Sequence, residues 1–324
     1  MTNKTIHWGM IGTGDVTEVK SGPGFYLATN STLHGVLNRT KEKALDYARR
    51  HQVPVVYNTL EEMLADPIID AVYIATPPGS HKEIAIACAK ARKICYIEKP
   101  LALTYQDSLA ITAAFKEHQI QAFVAYYRRS LPRFNKVKEL LQQNIIGEIR
   151  NVNLQYNRPL QPSERDNPWR LQADISGGGL FMDMGVHQLD ILDYLIAPIK
   201  AVHSITANQG GYYQIEDIVN LIFTFENGVQ GVGSWCFTTG TWQDRISLLG
   251  SSGQLTFACF DDSPIIWEDN FGQQTTFTTT TPAHVQQPLI QAIVNELNGD
   301  GHSPSTLESA LRTAWVCEQI YQKN

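Results

Sequence analysis

Asp183 and His187 stand four residues apart in Leu180–Leu195, a segment whose pattern predicts a helix, so the two side chains share one face. A carboxylate that fixes the tautomer of an imidazole and raises its basicity is a general acid/base arrangement, able to exchange a hydroxyl proton near neutral pH. Tyr194 lies seven residues beyond His187 on the same side. Three glycines, Gly177 to Gly179, open the segment and let a ligand or another backbone come close. Two further readings of the pair stay open. One is a structural His–Asp contact; the other is a metal site, which needs a third ligand of fitting spacing that the neighbouring sequence does not offer.

A second constellation lies near the N-terminus. Gly12-Thr13-Gly14-Asp15-Val16-Thr17 follows the apolar run Ile6–Ile11. The first glycine permits a tight turn, and the second lets backbone approach a pyrophosphate at the start of a helix. Thr17 stands where a third glycine would set close helix–strand packing, which predicts a looser contact. An NAD site usually carries an acid about 20 residues further on. Here Asn38-Arg39-Thr40 occupies that point, with Lys43 following. The two cations favour the 2′-phosphate of NADP, although an asparagine can also hold an NAD ribose and the cations can be a solvated helix start. Glu18-Val19-Lys20-Ser21-Gly22-Pro23-Gly24 interrupts the first helix early and reads as a surface loop, from which Lys20 could reach phosphate or substrate.

Glu98-Lys99-Pro100 follows a predicted strand, Ile94–Ile97. In an open α/β sheet the ligand crevice lies outside the carboxyl ends of the strands, so Lys99 is expected to point towards bound cofactor. A lysine there can hold a substrate oxygen, and partial burial beside a nicotinamide cation lowers its pKa towards neutrality. Glu98 can orient it or contact the nicotinamide ribose. An exposed charged turn is the alternative.

The elements that position these residues fall into two halves. The chain has 324 residues, 43% apolar and 18% charged, which fits two globular domains. Residues 1–125 alternate strands (Ile6–Ile11, Leu33–Leu37, Val53–Tyr57, Ala71–Ala75, Ile94–Ile97, Ala122–Ala125) with helical patterns, and Thr59 and Ser80 start capping boxes. That alternation predicts a doubly wound parallel sheet. Residues 126–324 carry seven strand-like runs from Ile149 to Trp267, with turns at Glu226-Asn227-Gly228 and Ser251-Ser252-Gly253. They predict an α+β domain with a large, mostly antiparallel sheet. The helices Leu180–Leu195, Gln287–Leu297 and Thr306–Tyr321 go with it, the last capped by Ser305 and Glu308. The Thr-rich stretch 275–281 is expected to be an exposed loop or edge strand. Net charge is −6 and there is no basic run, which argues against nucleic-acid binding. No apolar stretch is long enough to span a membrane, and the N-terminus lacks an export signal, so a cytoplasmic protein is expected. The five cysteines show no Cys-x-x-Cys spacing and read as reduced thiols.

Taken together, the Gly-x-Gly turn, Ala75-Thr76-Pro77-Pro78-x-x-His81, Glu98-Lys99-Pro100, Trp169-Arg170, the triple glycine and Asp183-x-x-x-His187 resemble the glucose–fructose oxidoreductase / inositol dehydrogenase / rhizopine-catabolism family over essentially the whole chain. The resemblance implies an N-terminal Rossmann domain and a C-terminal open sheet used for homodimer or homotetramer contacts. It implies a catalytic set of Lys99, Asp183 and His187, and a cis peptide before Pro100. It also implies that Gly12, Thr13, Gly14, Asp15, Val16, Asn38, Arg39, Lys43, Thr76, Pro77, His81, Glu98, Lys99, Trp169 and Arg170 line NADP or NAD. Tyr126-Tyr127-Arg128-Arg129 departs from the family's Asn-Arg after the sixth strand, and His284 stands near a position often held by Tyr. Tyr126, Arg128, Tyr194 and His284 are the candidate substrate contacts. The implied activity is NAD(P)-dependent oxidation or reduction of a sugar, polyol or related cyclic hydroxy/keto compound, with no metal. A nicotinamide-dependent glycosidase and a non-catalytic sugar or nucleotide sensor are the alternatives within the fold.

Overall fold

The computed structural model describes residues 3–165 and 168–322. Two compact units emerge from the packing. The first comprises the chain up to Leu131 together with Pro282–Leu311; the second comprises Pro132–Thr281 and the chain from Arg312 onward. The chain therefore returns to the first unit after its excursion through the second, whereas the sequence suggested a single cut near 125.

The first unit is built on six strands: β1 (Ile6–Ile11), β2 (Ser31–Leu37), β3 (Val55–Val56), β4 (Ala71–Ile74), β5 (Ile94–Ile97) and β6 (Ala122–Val124). Their order is β3-β2-β1-β4-β5-β6, and every neighbouring pair is parallel. β4 is buried throughout and β5 nearly so, because crossover helices cover both faces of a parallel sheet. Trp8, Phe25, Tyr73 and Tyr96 form an aromatic core, with successive ring centroids 5.0, 4.9 and 5.1 Å apart. The strand order reverses between β1 and β4, the place where doubly wound sheets open a ligand crevice at their carboxyl ends.

Four local details differ from the sequence reading. Thr17 is not loosely packed: it is fully buried, its hydroxyl donates to Gly14 O at 2.7 Å, and its own carbonyl accepts from Tyr47 Oη at 3.0 Å. The 20–24 segment is not a surface loop, because Gly22–Leu27 forms a short helix with Gly22, Pro23, Gly24 and Phe25 buried; proline fits where a helix starts. Ser80 does not cap the following helix, since a 3₁₀ turn, Pro78–Ser80, precedes it and the hydroxyl lies between Pro77 O, at 3.0 Å, and the Thr76 hydroxyl, at 2.8 Å. Ser305 spends its hydroxyl on Val124 O, and Thr306 with Ser309 takes the reciprocal capping role.

The second unit carries β7 (Ile149–Asn157), β8 (Ile199–Ala207), β9 (Ile218–Phe225), β10 (Gln230–Cys236), β11 (Gln243–Gly250), β12 (Gly253–Phe257), β13 (Ile265–Asp269) and β14 (Gln274–Phe277), in the order β14-β13-β12-β11-β7-β10-β9-β8. All pairs are antiparallel except β7 with β10. The Thr-rich stretch supplies the edge strand β14. The Leu180–Leu195 helix lies over one face, where Phe181 meets Trp235 edge to face at 5.0 Å. On the other face Ile205, Ile222 and Val232, from three adjacent strands, are exposed. The five cysteines are free thiols. Among the described residues no helix is long and apolar enough to cross a membrane.

Candidate active site

β1 ends at Ile11, and Gly12 turns the chain with φ of +93°. A Cβ there would stand 2.7 Å from Ala75 O, so the turn hugs the end of β4. Gly14 precedes the Asp15–Val19 helix without a capping side chain, and nothing lies within 4 Å of the place its Cβ would take. The helix start is thus left without a capping side chain beside open space at Gly14, and Asp15 is exposed. Thr13 is buried, and its hydroxyl accepts from Asn38 Nδ2 at 2.7 Å. Asn38 Oδ1 in turn accepts from Thr40 N at 2.8 Å, which shapes the turn after β2. Arg39 and Lys43 are exposed on that turn and the following helix, and among the described residues neither has an ion-pair partner.

After β4, Thr76 and the exposed Pro77 lead into the 3₁₀ turn. His81 turns inward and is fully buried. Its Nε2 lies 2.8 Å from Thr76 O, while its Nδ1 lies 3.1 Å from Pro100 O and 3.3 Å from Leu101 O. Burial pushes the imidazole below its usual range, and the surrounding carbonyls push it back up. His81 thus fastens the turn after β4 to the turn after β5.

Glu98, Lys99 and Pro100 follow β5, with a cis peptide between Lys99 and Pro100. The Glu98 carboxylate is buried and well supplied with donors. Oε1 accepts from Tyr73 Oη at 2.5 Å and Gln286 Nε2 at 2.7 Å, and Oε2 accepts from Lys99 N at 3.2 Å. Tyr96 Oη completes the chain by donating to Gln286 Oε1 at 2.7 Å. Burial, with the Glu98 charge next in weight, pushes the Tyr73 and Tyr96 phenols well above their usual range, so both stay protonated donors. Gln286 and the two tyrosines escaped the sequence reading: 188 residues separate Gln286 from Glu98, and no local motif marks it.

In the second unit the Leu180–Leu195 helix carries Asp183, His187 and Tyr194. Asp183 is half-buried and Oδ2 pairs with Arg170 Nε at 3.5 Å; the Arg170 guanidinium also lies 4.6 Å over the Trp169 ring. Trp169, Arg170 and Asp183 thus form one group. His187 is buried, its ring edge-on to Phe260 at 6.2 Å. Phe260 is fixed from behind, because the Asp244 carboxylate accepts the backbone N–H groups of Cys259, Phe260 and Asp261. Tyr194 lies about two turns further along, with Lys138 Nζ 3.7 Å from its ring centroid.

The remaining candidates belong to the first unit. Tyr126 and Arg128 are buried in the turn after β6, where the Arg128 guanidinium lies 5.1 Å from the Tyr127 ring. His284 Nδ1 meets Val19 O at 2.7 Å. The structure therefore places Gly12, Thr13, Gly14, Asp15, Val16, Asn38, Thr76, Glu98 and Lys99 at the carboxyl end of one parallel sheet, and Trp169, Arg170 and Asp183 together in the second unit, with His187 on the same helix as Asp183.

Residues 6–126 match the model of an oxidoreductase family with an NAD-binding Rossmann fold, and residues 134–256 match the GFO/IDH/MocA C-terminal domain. Oxidoreductase P35 of Formosa agariphila is 35% identical over 318 residues, 97% of each chain. The 1,5-anhydro-D-fructose reductase of Ensifer adhaerens is 27% identical over 251 residues, 76% of this chain and 74% of that one. Among solved structures, KijD10, a 3-ketoreductase from Actinomadura kijaniata in complex with NADP and TDP-benzene, superposes with a TM-score of 0.84 at 21% identity, covering 98% of this chain and 97% of the other.

Proposed function

We propose, from the premise that this chain belongs to the GFO/IDH/MocA oxidoreductase family, that it is an NAD(P)-dependent dehydrogenase or reductase acting on the CH–OH or C=O group of a sugar, polyol or related cyclic compound. The observation that carries this reading is the placement of Lys99 at the carboxyl end of the sheet whose first strand runs into the open Gly12–Gly14 turn. The relatives named for anhydrofructose reduction and 3-ketoreduction support the substrate class.

The residues present fit a dinucleotide. The empty volume beside Gly14 and the backbone donors of Asp15 and Val16 suit a pyrophosphate, and a Cβ at either glycine would intrude on the turn or on that space. Arg39 and Lys43, exposed and without ion-pair partners among the described residues, favour NADP over NAD. Thr76, Pro77, Glu98, Lys99, Trp169 and Arg170 complete the proposed nucleotide contacts. His81 acts behind them, holding two of the turns. A bound nicotinamide supplies the site that accepts or gives a hydride. Lys99 holds the substrate oxygen and offsets its developing negative charge. His187 takes or returns the hydroxyl proton, and Asp183, itself paired with Arg170, orients the imidazole. Tyr126, Arg128, Tyr194 and His284 are proposed substrate contacts. The exposed apolar face of β8, β9 and β10 is the proposed homo-oligomer surface.

The test is reduced-nicotinamide absorbance with NADP and with NAD over sugars, inositols, anhydro-keto sugars and dihydrodiols. Turnover with at least one polyhydroxylated compound, faster with NADP, is expected. Nucleotide binding without turnover across the panel contradicts the reading.

A further inference from the structure

We infer that Gln286 is a positioning residue for Lys99, acting through the Glu98 carboxylate; the inference rests on the proposed place of Lys99 in the catalytic set. A buried carboxylate is stable only when donors meet its oxygens, and here the donors come from three separate stretches of chain. Tyr73 comes from β4, Lys99 N from the turn itself, and Gln286 from the segment that returns to this unit late in the sequence. The orientation of the Gln286 amide follows from chemistry. Carboxylate oxygens accept only, so the amide NH₂ faces Glu98, and its oxygen is left to accept from Tyr96 Oη.

The same contact accounts for the 20–24 segment. Lys20 O accepts from Gln286 N at 3.0 Å. Ser21 Oγ lies 3.0 Å from Tyr73 Oη, at the far end of the same chain of bonds. A Cβ on Gly24 would stand 2.7 Å from Ile290 Cδ1, so the glycine lets the Gln287–Leu297 helix close on the first unit. The segment is thus a seat for the returning chain, and Gln286 is the residue of that chain that reaches the turn after β5. Two hydrogen bonds on Oε1 turn Oε2 towards the Lys99 amide, which fixes where the lysine leaves the backbone. Without the amide, Oε1 keeps one donor and the carboxylate is free to rotate away from the Lys99 N–H, so the direction in which the lysine leaves the backbone is no longer fixed.

The experiment uses the full chain with Gln286→Leu and, in case that variant folds poorly, the milder Tyr96→Phe, which keeps the amide and removes only its outer anchor. Without nucleotide or substrate, the rate of Lys99 modification by trinitrobenzenesulfonate at one fixed pH is followed by peptide mass spectrometry. The rate is expected to rise about threefold or more in Gln286→Leu, where the lysine is no longer held in one direction, and by less in Tyr96→Phe. With any substrate the panel identifies, kcat is expected to fall about tenfold with KM changed less than about threefold. A Lys99 labelling rate and kcat equal to the parent's in folded variants overturn the inference and leave the proposed activity standing. Absence of turnover in the parent overturns the activity, while the labelling rate still decides whether Gln286 positions Lys99.

Discussion

The side-chain oxygen of Gln188 accepts from the indole Nε1 of Trp235 at 2.5 Å, tying the residue next to His187 to β10 beneath the helix. Both side chains are fully buried, and Gln188 Nε2 points on towards Asp244 Oδ1 at 3.5 Å. Gln188→Leu leaves a buried indole N–H without an acceptor and is expected to cost about 1–3 kcal/mol. Adding Trp235→Phe removes the orphaned donor, so the double variant should be less destabilised than the sum of the two singles. Urea midpoints measure this; strictly additive losses would show that the bond carries no coupling.

The two glycines of the first turn should fail differently. Gly12→Ala meets both a positive φ and a backbone oxygen 2.7 Å away, and about 1–3 kcal/mol of stability should go. Gly14 has ordinary extended dihedrals and open space around it, so Gly14→Ala should keep Tm within about 2 °C. It should weaken NADPH binding about tenfold or more, because the new methyl stands where the pyrophosphate approaches. Calorimetry with unfolding scans separates the effects, and unchanged affinity in Gly14→Ala would place the phosphates elsewhere.

Arg39→Ala and Lys43→Ala test the nucleotide preference. Each charge-assisted contact to a 2′-phosphate is worth about 1.5–3 kcal/mol, so Arg39→Ala should raise the Kd for NADPH by about tenfold or more. The Kd for NADH should move less than about threefold. Equal effects on both would mean that the cations only decorate the surface.

Glu18 supplies a pH signature remote from the chemistry. Arg50 holds it through two 2.7 Å hydrogen bonds and His51 adds a third contact at 3.0 Å, so the carboxyl is lowered to about 2, chiefly by the Arg50 bonds. A carboxyl whose folded pKa is depressed stabilises the fold above its unfolded value and loses that contribution as pH falls through the folded one. The pair is partly exposed, so Glu18→Gln should cost only about 0.5–1 kcal/mol at pH 7. The gap between variant and parent should narrow between about pH 4.5 and pH 2 in thermal unfolding scans. A gap that stays constant across that window contradicts the assignment.

Much of the architecture was legible because it rests on local signals. Apolar runs ending in Gly12, Thr76 and Glu98 mark strands whose carboxyl ends form a crevice, and the bounds of Leu180–Leu195 and Gln287–Leu297 follow directly from helical periodicity. The misreadings arise where tertiary partners compete for a local group. The hydroxyls of Ser80 and Ser305 match capping patterns but are taken by neighbouring segments, and the 20–24 segment looks like a loop until the returning chain packs on it. Asp183 and His187 were visible through their helical spacing, and the Arg170 partner of Asp183 through the resemblance alone. Gln286, Gln188 and Asp244 could not be found this way, because what singles them out is the distant side chain or backbone amide each one meets.

The most direct test of the account is single-turnover absorbance of reduced nicotinamide in Lys99→Met and His187→Ala, alongside NADPH affinity. His187→Ala should bind NADPH within about threefold of the parent and Lys99→Met, which also removes a proposed nucleotide contact, within about tenfold, while both lose about 10²-fold or more in turnover, the usual scale for removing a proton-transfer or charge-stabilising group. Turnover unchanged in both, with nucleotide bound, would contradict the assignment of the catalytic set.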